Sequence, residues 1–285
     1  VALGRLGVKQ LTAGSDLDLL IIYDAAPDSF STGQRTLAAA NYVLRLAQTM
    51  VSWISTPTAE GTLYDVDLRL RPEGKAGAIA TSIDRLATYF DRDAWIWEKQ
   101  ALTKARPIAG DAGLTDKIQR LINSIINHDH PKDHLITAIS DMRQRLQKQQ
   151  KPVSKWHLRQ IAGGLTDIDL LIQAWRLQHG RLFSGSGQPA HAILQTLFNK
   201  DVIDKNLYEQ MTDAAKCLNE IHHSLRLTLG PAAPTTDMLP HGLHHFMLQR
   251  LDFPDETQFQ NHFDLSLSTV IHAIDAYLAS AEKPS

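Results

Sequence analysis

Four aspartates on two short stretches are the residues best placed to do chemistry. Gly14-Ser15-Asp16-Leu17-Asp18 runs straight into Leu19-Leu20-Ile21-Ile22-Tyr23, and Asp65 and Asp67 interleave with Tyr64, Val66 and Leu68. Along an extended chain, residues two apart share a face. Asp16 and Asp18 therefore project together while Leu17 and Leu19 turn to a core. Asp65 and Asp67 share a face likewise, with Arg69 and Arg71 continuing it. If the two strands pair, three or four carboxylates meet. Such a cluster repels itself unless a cation neutralises it, and hard oxygen ligands suit Mg²⁺. Two such ions about 3.5–4 Å apart would activate an attacking oxygen and steady a leaving one. Arg69 and Arg71 would hold phosphate oxygens by forked hydrogen bonds. The chemistry expected is metal-dependent transfer at the phosphates of a nucleoside triphosphate, with Asp16, Asp18 and Asp67 as the metal-binding and catalytic residues.

Asp16 and Asp18 alone fit solvated strand ends as well as they fit a site. The matching second strand, with its arginines, decides for the site. Asp65 stays open between a supporting acid and a surface one. No Walker A segment is present, which argues against a P-loop enzyme. Gly4-Arg5-Leu6-Gly7 fits a backbone approach to phosphate and a plain turn equally well.

The elements that must position these residues are legible as periodicity. Residues 1–3 and 17–23 read as short apolar strands, and 34–54 as a helix. Residues 62–70 alternate strictly, and Arg71-Pro72-Glu73-Gly74 ends that strand, since Pro72 cannot donate to a ladder and Gly74 permits a turn. The stretch 89–106 reads as one helix on the sheet. Trp95 and Trp97 are expected in core or interface packing, with Glu98 available to order the site. Beyond Asp111 the period becomes 3.6, predicting helices at 114–127, 133–149, 165–179, 189–199, 204–229, 240–250 and 258–281. Ser184-Gly185-Ser186-Gly187 is the clearest flexible connector. Asp167 and Asp169 follow a Gly163-Gly164 turn, where they would either pair with a basic group between domains or favour a helix start.

Composition narrows the function classes. At 285 residues the chain is long for one core, so about two domains are expected. A formal charge of −2 provides no basic field for bulk nucleic-acid binding. The single cysteine, Cys217, excludes an internal disulfide framework and fits a reducing cytosol. No apolar run is long enough to span a membrane. His241, His244 and His245 lack a zinc motif and read as surface or capping histidines. Val1-Ala2-Leu3-Gly4 opens on an apolar run with no initiator Met, which predicts a fragment of something longer.

Gly4, eleven intervening residues and Asp16-Leu17-Asp18 resemble the signature of the polymerase-β-like nucleotidyltransferases. More specifically, the chain resembles the bifunctional glutamine synthetase adenylyltransferase/adenylyl-removing enzymes. The resemblance is carried by Ser15-Asp16-Leu17-Asp18-Leu19, by Leu63-Tyr64-Asp65-Val66-Asp67-Leu68-Arg69-Leu70-Arg71-Pro72, by Trp95-Ile96-Trp97-Glu98 and by Ala101-Leu102-Thr103-Lys104-Ala105-Arg106. Gly163-Gly164-Leu165-Thr166-Asp167-Ile168-Asp169 is similar to a further segment of that family. The departures are Val8-Lys9-Gln10 after the second glycine, Asp65 where the family has Glu, Asp169-Leu170 in place of Glu-Phe, and Arg159 in place of Lys.

That family has two nucleotidyltransferase halves, each followed by a helical domain. The amino-terminal half removes AMP from glutamine synthetase by phosphorolysis, and the carboxy-terminal half attaches it. The Trp-x-Trp-Glu segment and the Leu-Tyr-acid-Val-Asp start of the strand are similar to the carboxy-terminal half. The resemblance thus implies an α+β chain. A polymerase-β-like nucleotidyltransferase domain with a small mixed sheet would occupy 1–112, and an all-α helical-bundle domain 113–285. It implies Mg²⁺-dependent transfer of AMP from ATP to a tyrosine of glutamine synthetase in the cytoplasm, with the PII signal protein as a further partner. Gly14 and Ser15 would offer donors to the phosphates, and Arg69, Arg71, Lys104 and Arg106 are the candidates to hold the triphosphate. Two other readings stay open: phosphorolysis of AMP-tyrosine to ADP, and a regulatory module without catalysis.

Overall fold

The apolar run at residues 17–23 is one extended stretch whose ladder changes partner midway. In the computed structural model, which describes residues 1–62, 64–149 and 151–280, β1 (Leu17–Asp18) and β2 (Ile21–Tyr23) replace the single predicted strand. β1 pairs in parallel with β3 (Val66–Asp67), and β2 in parallel with β4 (Ala80–Ser82). Extended backbone donates alternately to its two sides. Leu17 N and Leu19 N donate to Asp65 O and Asp67 O at 2.8 and 2.9 Å, while Leu20 N donates the other way, to Val1 O at 2.9 Å. Residues 1–3, predicted as a strand, contribute isolated antiparallel bridges from Ala2 to Leu19 and to Arg106. In place of the one small mixed sheet expected, the described residues form two small parallel sheets, with the antiparallel pairing confined to isolated bridges outside them.

The predicted strand at 62–70 shrinks to Val66–Asp67, and Leu63 lies outside the described residues. Side chains end the ladder early. The Asp67 carboxylate takes the N–H of Arg69 at 2.8 Å, and the Arg71 guanidinium donates to Leu68 O, so the groups needed for the next rungs are engaged locally. The turn at 71–74 forms as predicted, with Gly74 N donating to Arg71 O at 2.8 Å and Glu73 and Gly74 both at positive φ.

Around these strands stand α1 (Gly4–Gly7), α2 (Ala39–Ser55), α3 (Ile83–Arg92), α4 (Ile96–Leu102) and α5 (Ala112–Ile126). α2 starts later than predicted because Ser31 N pairs with Leu37 O at 2.8 Å, in a bridge between Phe30 and Ala38. The single helix expected at 89–106 is broken. Glu98 accepts the N–H of Trp95 at 2.8 Å, capping a fresh start for α4, and Arg106 lies in backbone pairing with Ala2. Trp95 and Trp97 are exposed, at 68% and 38%, so they pack in no core of this unit. The core of this unit is Leu3, Leu19, Leu20, Leu86, Phe90, Leu102 and the inner face of α5, Ile118 and Ile122.

The contacts divide the chain into two units, Val1–Leu11 with Ser15–Asn127 and Ser184–Gly187, and Thr12–Gly14 with His128–Phe183 and Gln188–Ser285. α5 packs on α3 and α4, so the contact boundary falls at Asn127, where the change of periodicity had placed it at 112. The 184–187 segment, expected as a free connector, is tied to the first unit by Gly187 N to Thr103 O at 2.8 Å and Gln119 Nε2 to Ser186 Oγ at 3.0 Å.

The second unit holds α6 (Lys132–Gln149), α7 (Leu165–Gln178), α8 (Ala190–Asn199), α9 (Lys205–Leu229), α10 (His241–Arg250) and α11 (Glu256–Ala279), each within about two residues of its predicted span. Position 281 of the last predicted helix lies outside the described residues. Asp204 and Asp255 cap α9 and α11 by accepting from Leu207 N and Gln258 N at 2.8 and 2.9 Å. α7 is buried along nearly its whole length, against α6, α8, α9 and α11. Leu171, Leu194, Leu218, Ile221, Phe259 and Ile274 are fully buried, each stabilising by roughly 1.5–3 kcal/mol. Among the described residues no helix is long and apolar enough to cross a membrane.

Asp167 stands in the first turn of α7, as one of its two sequence readings has it, and it also takes a basic partner, within its own unit and not between domains. It accepts from Arg143 at 3.2 and 3.1 Å and from Gly163 N at 2.8 Å, and Arg143 also donates to Asp275 at 2.6 Å. Three helices meet at that group. Gly163 has φ +72°, and a Cβ there would lie 2.3 Å from Leu267 O. Asp167→Ala removes the shared acceptor and is expected to lower unfolding stability by roughly 2–4 kcal/mol, read by urea denaturation.

Candidate active site

The site is built from the β1 end upward. Gly14, at φ +64°, turns the chain into Ser15 and Asp16. β1 and β3 are then in register, Leu17 opposite Val66 and Asp18 opposite Asp67. In a parallel pair, partners at one level project from the same face. Asp18 and Asp67 are thereby brought side by side, both half-buried, while Asp16 and Asp65 are exposed.

Asp18 is also fixed from α1. Leu3 N donates to Asp18 O at 2.9 Å, and the Asp18 carboxylate crosses so near Gly4 that a Cβ there would lie 2.1 Å from its Oδ2. Gly4 adopts φ +51°, a region that side-chain-bearing residues avoid. Gly7 closes the same short helix, where a Cβ would meet Lys104 O at 1.8 Å. The glycine pair that spacing left undecided thus has a steric role: it lets α1 lie against the carboxylate and the 102–106 backbone.

Arg69 supplies the counter-charge. Its Nε lies 3.0 and 2.7 Å from the two Asp67 carboxylate oxygens, and its Nη2 also donates to Oδ2. This hydrogen bonding holds the Asp67 carboxyl below its ordinary value of 3.8, against the opposing effect of burial. Arg69 in turn is held more firmly charged by its bond to Asp67, and the fields of Asp67, Asp18 and Asp16 all act on it. The arginine and the three aspartates share one electrostatic neighbourhood.

The other predicted phosphate contacts are placed differently. Arg71 donates to Gly77 O at 3.1 Å and to Leu68 O, tightening the turn after β3. Arg106 donates to Gly7 O at 2.8 Å and Leu6 O at 3.0 Å, satisfying the carbonyl end of α1. Lys104 sets its carbonyl against Gly7. Gly14 O accepts from Arg226, a residue that no sequence pattern singled out. Glu98 is buried and accepts from the Tyr89 hydroxyl at 2.8 and 2.9 Å, so it orders α3 and α4. Burial first, and then that carboxylate, push the Tyr89 hydroxyl up to about 12.

The donor set at β1 and β3 is carboxylate oxygen throughout, which suits a hard cation such as Mg²⁺. Among the described residues no group of three His, Cys, Asp or Glu side chains is gathered closely enough to hold a metal ion. The Arg69 guanidinium is the cation that sits on Asp67 here. His244 and His262, both half-buried, pair with Glu256 and Asp213.

Comparison with known proteins bears on this arrangement. Residues 1–121 match the family model described as glutamate-ammonia ligase adenylyltransferase, and residues 134–278 match that described as GlnD PII-uridylyltransferase. The chain is 34% identical to a bifunctional glutamine synthetase adenylyltransferase/adenylyl-removing enzyme of Bartonella quintana, over 90% of this chain and 26% of that protein. Proteins of the same name from Mesorhizobium japonicum and a Bradyrhizobium species are 33% and 39% identical, over 90% and 63% of the chain and 26% and 18% of their own lengths. The chain thus spans about a quarter of the length of the curated relatives it matches most fully.

Two substitutions test the geometry. Arg69→Ala should raise the Asp67 carboxyl toward its ordinary value, visible as a displaced side-chain carboxyl titration by NMR. Because the folded carboxyl titrates below the unfolded one, the stability from this pair is complete above pH 3.8 and lost as pH falls through the lower folded value. Acid unfolding of Arg69→Ala should accordingly lose that component. Gly4→Ala should displace Asp18 while leaving the helical unit's cooperative unfolding intact, since the clash is confined to α1 and β1.

Proposed function

The chain belongs to the glutamine synthetase adenylyltransferase/adenylyl-removing enzyme family, and on that premise we propose that it moves AMP from ATP to a tyrosine of glutamine synthetase, releasing pyrophosphate. The single observation that carries the proposal is the parallel register that sets Asp18 beside Asp67 beneath Gly4. It supports a polymerase-β-like nucleotidyltransferase domain in the first unit, followed by a helical-bundle domain. We read the chain as the adenylyl-attaching half, on the Trp95-Ile96-Trp97-Glu98 segment and the Asp65-Val66-Asp67 strand.

In this reading Asp16, Asp18 and Asp67 would hold Mg²⁺. The chemistry supplied by that ion is neutralisation of phosphate oxygens and activation of the attacking oxygen. Gly14 and Ser15 present backbone and hydroxyl donors to the triphosphate. The acceptor is a phenol with an ordinary pKa of about 10, so little phenolate exists at neutral pH and a base is needed. Asp67 takes that proton. Arg69 occupies both Asp67 oxygens, so it must leave before Asp67 can hold an ion or face the phenol, and the phosphates are its new partner. Arg71 and Arg106 keep the turn and α1 in place around the site, and Lys104 is the remaining candidate for the triphosphate.

The helical unit, matched over 134–278, is the part we assign to partner recognition, with the PII signal protein as one partner. The setting is the cytoplasm, where ATP and glutamine synthetase meet.

Incubation with glutamine synthetase and α-labelled ATP tests the proposal. Magnesium-dependent label should appear on the synthetase, and Asp16→Ala, Asp18→Ala and Asp67→Ala should each lower its rate by at least about a hundredfold, more than loss of a residue that merely supports a metal ligand. Adenylylated synthetase supplied with phosphate tests the opposite direction. Release of ADP without forward labelling would replace transfer by removal, and activity in neither direction would leave only a regulatory module.

A further inference from the structure

A cavity of about 280 Å³ lies in the helical unit, beside the end of α9, and its lining includes Trp156, His157, Arg159, His222, Arg226 and Pro231. Every titratable residue in that lining is a base; none is Asp or Glu. The walls are pinned to one another. Ser154 Oγ donates to Pro234 O at 2.6 Å, Trp156 Nε1 to Asp237 O at 2.8 Å, and Lys155 N to Asp237 Oδ1 at 2.6 Å. A pinned, half-open cavity of this size suits a small ligand more than a protein segment.

Two arginines in the wall differ in their state. Arg226 is committed to carbonyls, donating through Nε to Ala13 O at 3.0 Å, through Nη1 to Pro231 O at 2.8 Å and through Nη2 to Gly14 O. Its fork has further N–H groups to offer. Arg159 is exposed, and its guanidinium has no carboxylate or carbonyl partner among the described residues. A guanidinium without a counter-charge at a cavity without acids attracts an anion, and forked donors favour phosphate or carboxylate geometry.

We propose that this cavity is an anion site, and that its ligand, a small phosphate- or carboxylate-bearing molecule held by Arg159 and Arg226, sets the position of the Gly14 turn. The link to Gly14 is direct. Residues Thr12–Gly14 cluster with the helical unit, held by Arg226 and packed on Pro231, whose Cβ would lie 3.6 Å from a Cβ at Gly14. The next residues along the chain are Ser15 and Asp16. An anion drawing on Arg226 competes with the carbonyls of Ala13 and Gly14, and so shifts the turn that leads into the aspartates. That this regulates adenylyl transfer rests on the proposed function; the anion site itself does not.

Trp156 reports occupancy. The whole chain is titrated with inorganic phosphate and, separately, with malonate, in EDTA so that any metal-dependent phosphate site is silent, with Trp156→Phe assigning the signal. A saturable fluorescence change is expected, weakened roughly tenfold or more in Arg159→Ala, as the loss of a charge-assisted contact implies. Tighter phosphate than malonate identifies a phosphate-bearing ligand, and the reverse order a carboxylate. Hydrogen exchange over residues 12–16 reads the coupling without any activity assay. It should change on adding the tighter anion to the wild-type chain and not in Arg159→Ala. An unsaturable response, or one equal in Arg159→Ala, overturns the site; occupancy with unchanged exchange at 12–16 overturns the coupling.

Discussion

Two carboxylates at one level on neighbouring strands repel each other, and the first unit is organised around that repulsion. Adjacent strands stand about 4.8 Å apart, and unit charges at that spacing repel by roughly 3 kcal/mol at an effective dielectric of about 20. The β1–β3 register imposes this on Asp18 and Asp67. Arg69 answers it, bonding Asp67 while lying in the fields of Asp18 and Asp16. Gly4 answers it sterically, leaving the Asp18 carboxylate room beside α1. Neither residue contributes to a hydrophobic core. Their roles are set by where the charges must be.

The same charges explain why the strands are so short. Asp67 and Arg71 each engage a backbone group that a longer ladder would have used. Pairing is given up at the point where the side chains acquire a task, and the sheet becomes a platform one or two rungs deep. Its rigidity comes from elsewhere: from Leu19 and Leu20 in the core, from the Arg106 guanidinium on the end of α1, and from Glu98 joining α3 to α4. The helical unit depends on none of this. Its core is its own, centred on α7 and the facing sides of α9 and α11.

What could be read from the residues divides along physical lines. The helices of the second unit were legible because a 3.6-residue period over ten or more positions is a repeated signal, whereas the caps at Asp204 and Asp255 emerge only in the structure. The aspartate face was legible because alternation fixes which side chains project together. Strand length was not, since the ladder ends through side-chain bonds from Asp67 and Arg71 that no period records. Nor was the break before α4, where a buried Glu98 accepts the Trp95 N–H, or the bonds to backbone carbonyls of Arg71 and Arg106, offered to phosphate by alternation and by the family resemblance respectively. Gly4 was visible only as a glycine. Its need for φ +51° against a carboxylate is a property of the packed structure.

The pairing of Arg69 with Asp67 carries one further consequence for how such a site fills. A cation approaching Asp67 meets a guanidinium already bonded there, and a phosphate approaching Arg69 meets a carboxylate. Either ligand alone breaks an ion pair and gains one contact. Both together break the same pair once and satisfy both of its members, so each favours the other's binding. A metal-bound triphosphate, the ligand of the function proposed above, carries the two charges in one molecule and would exchange partners with this pair at the smallest cost. On that proposal the ion pair would favour the complex over its parts before any conformational change is invoked.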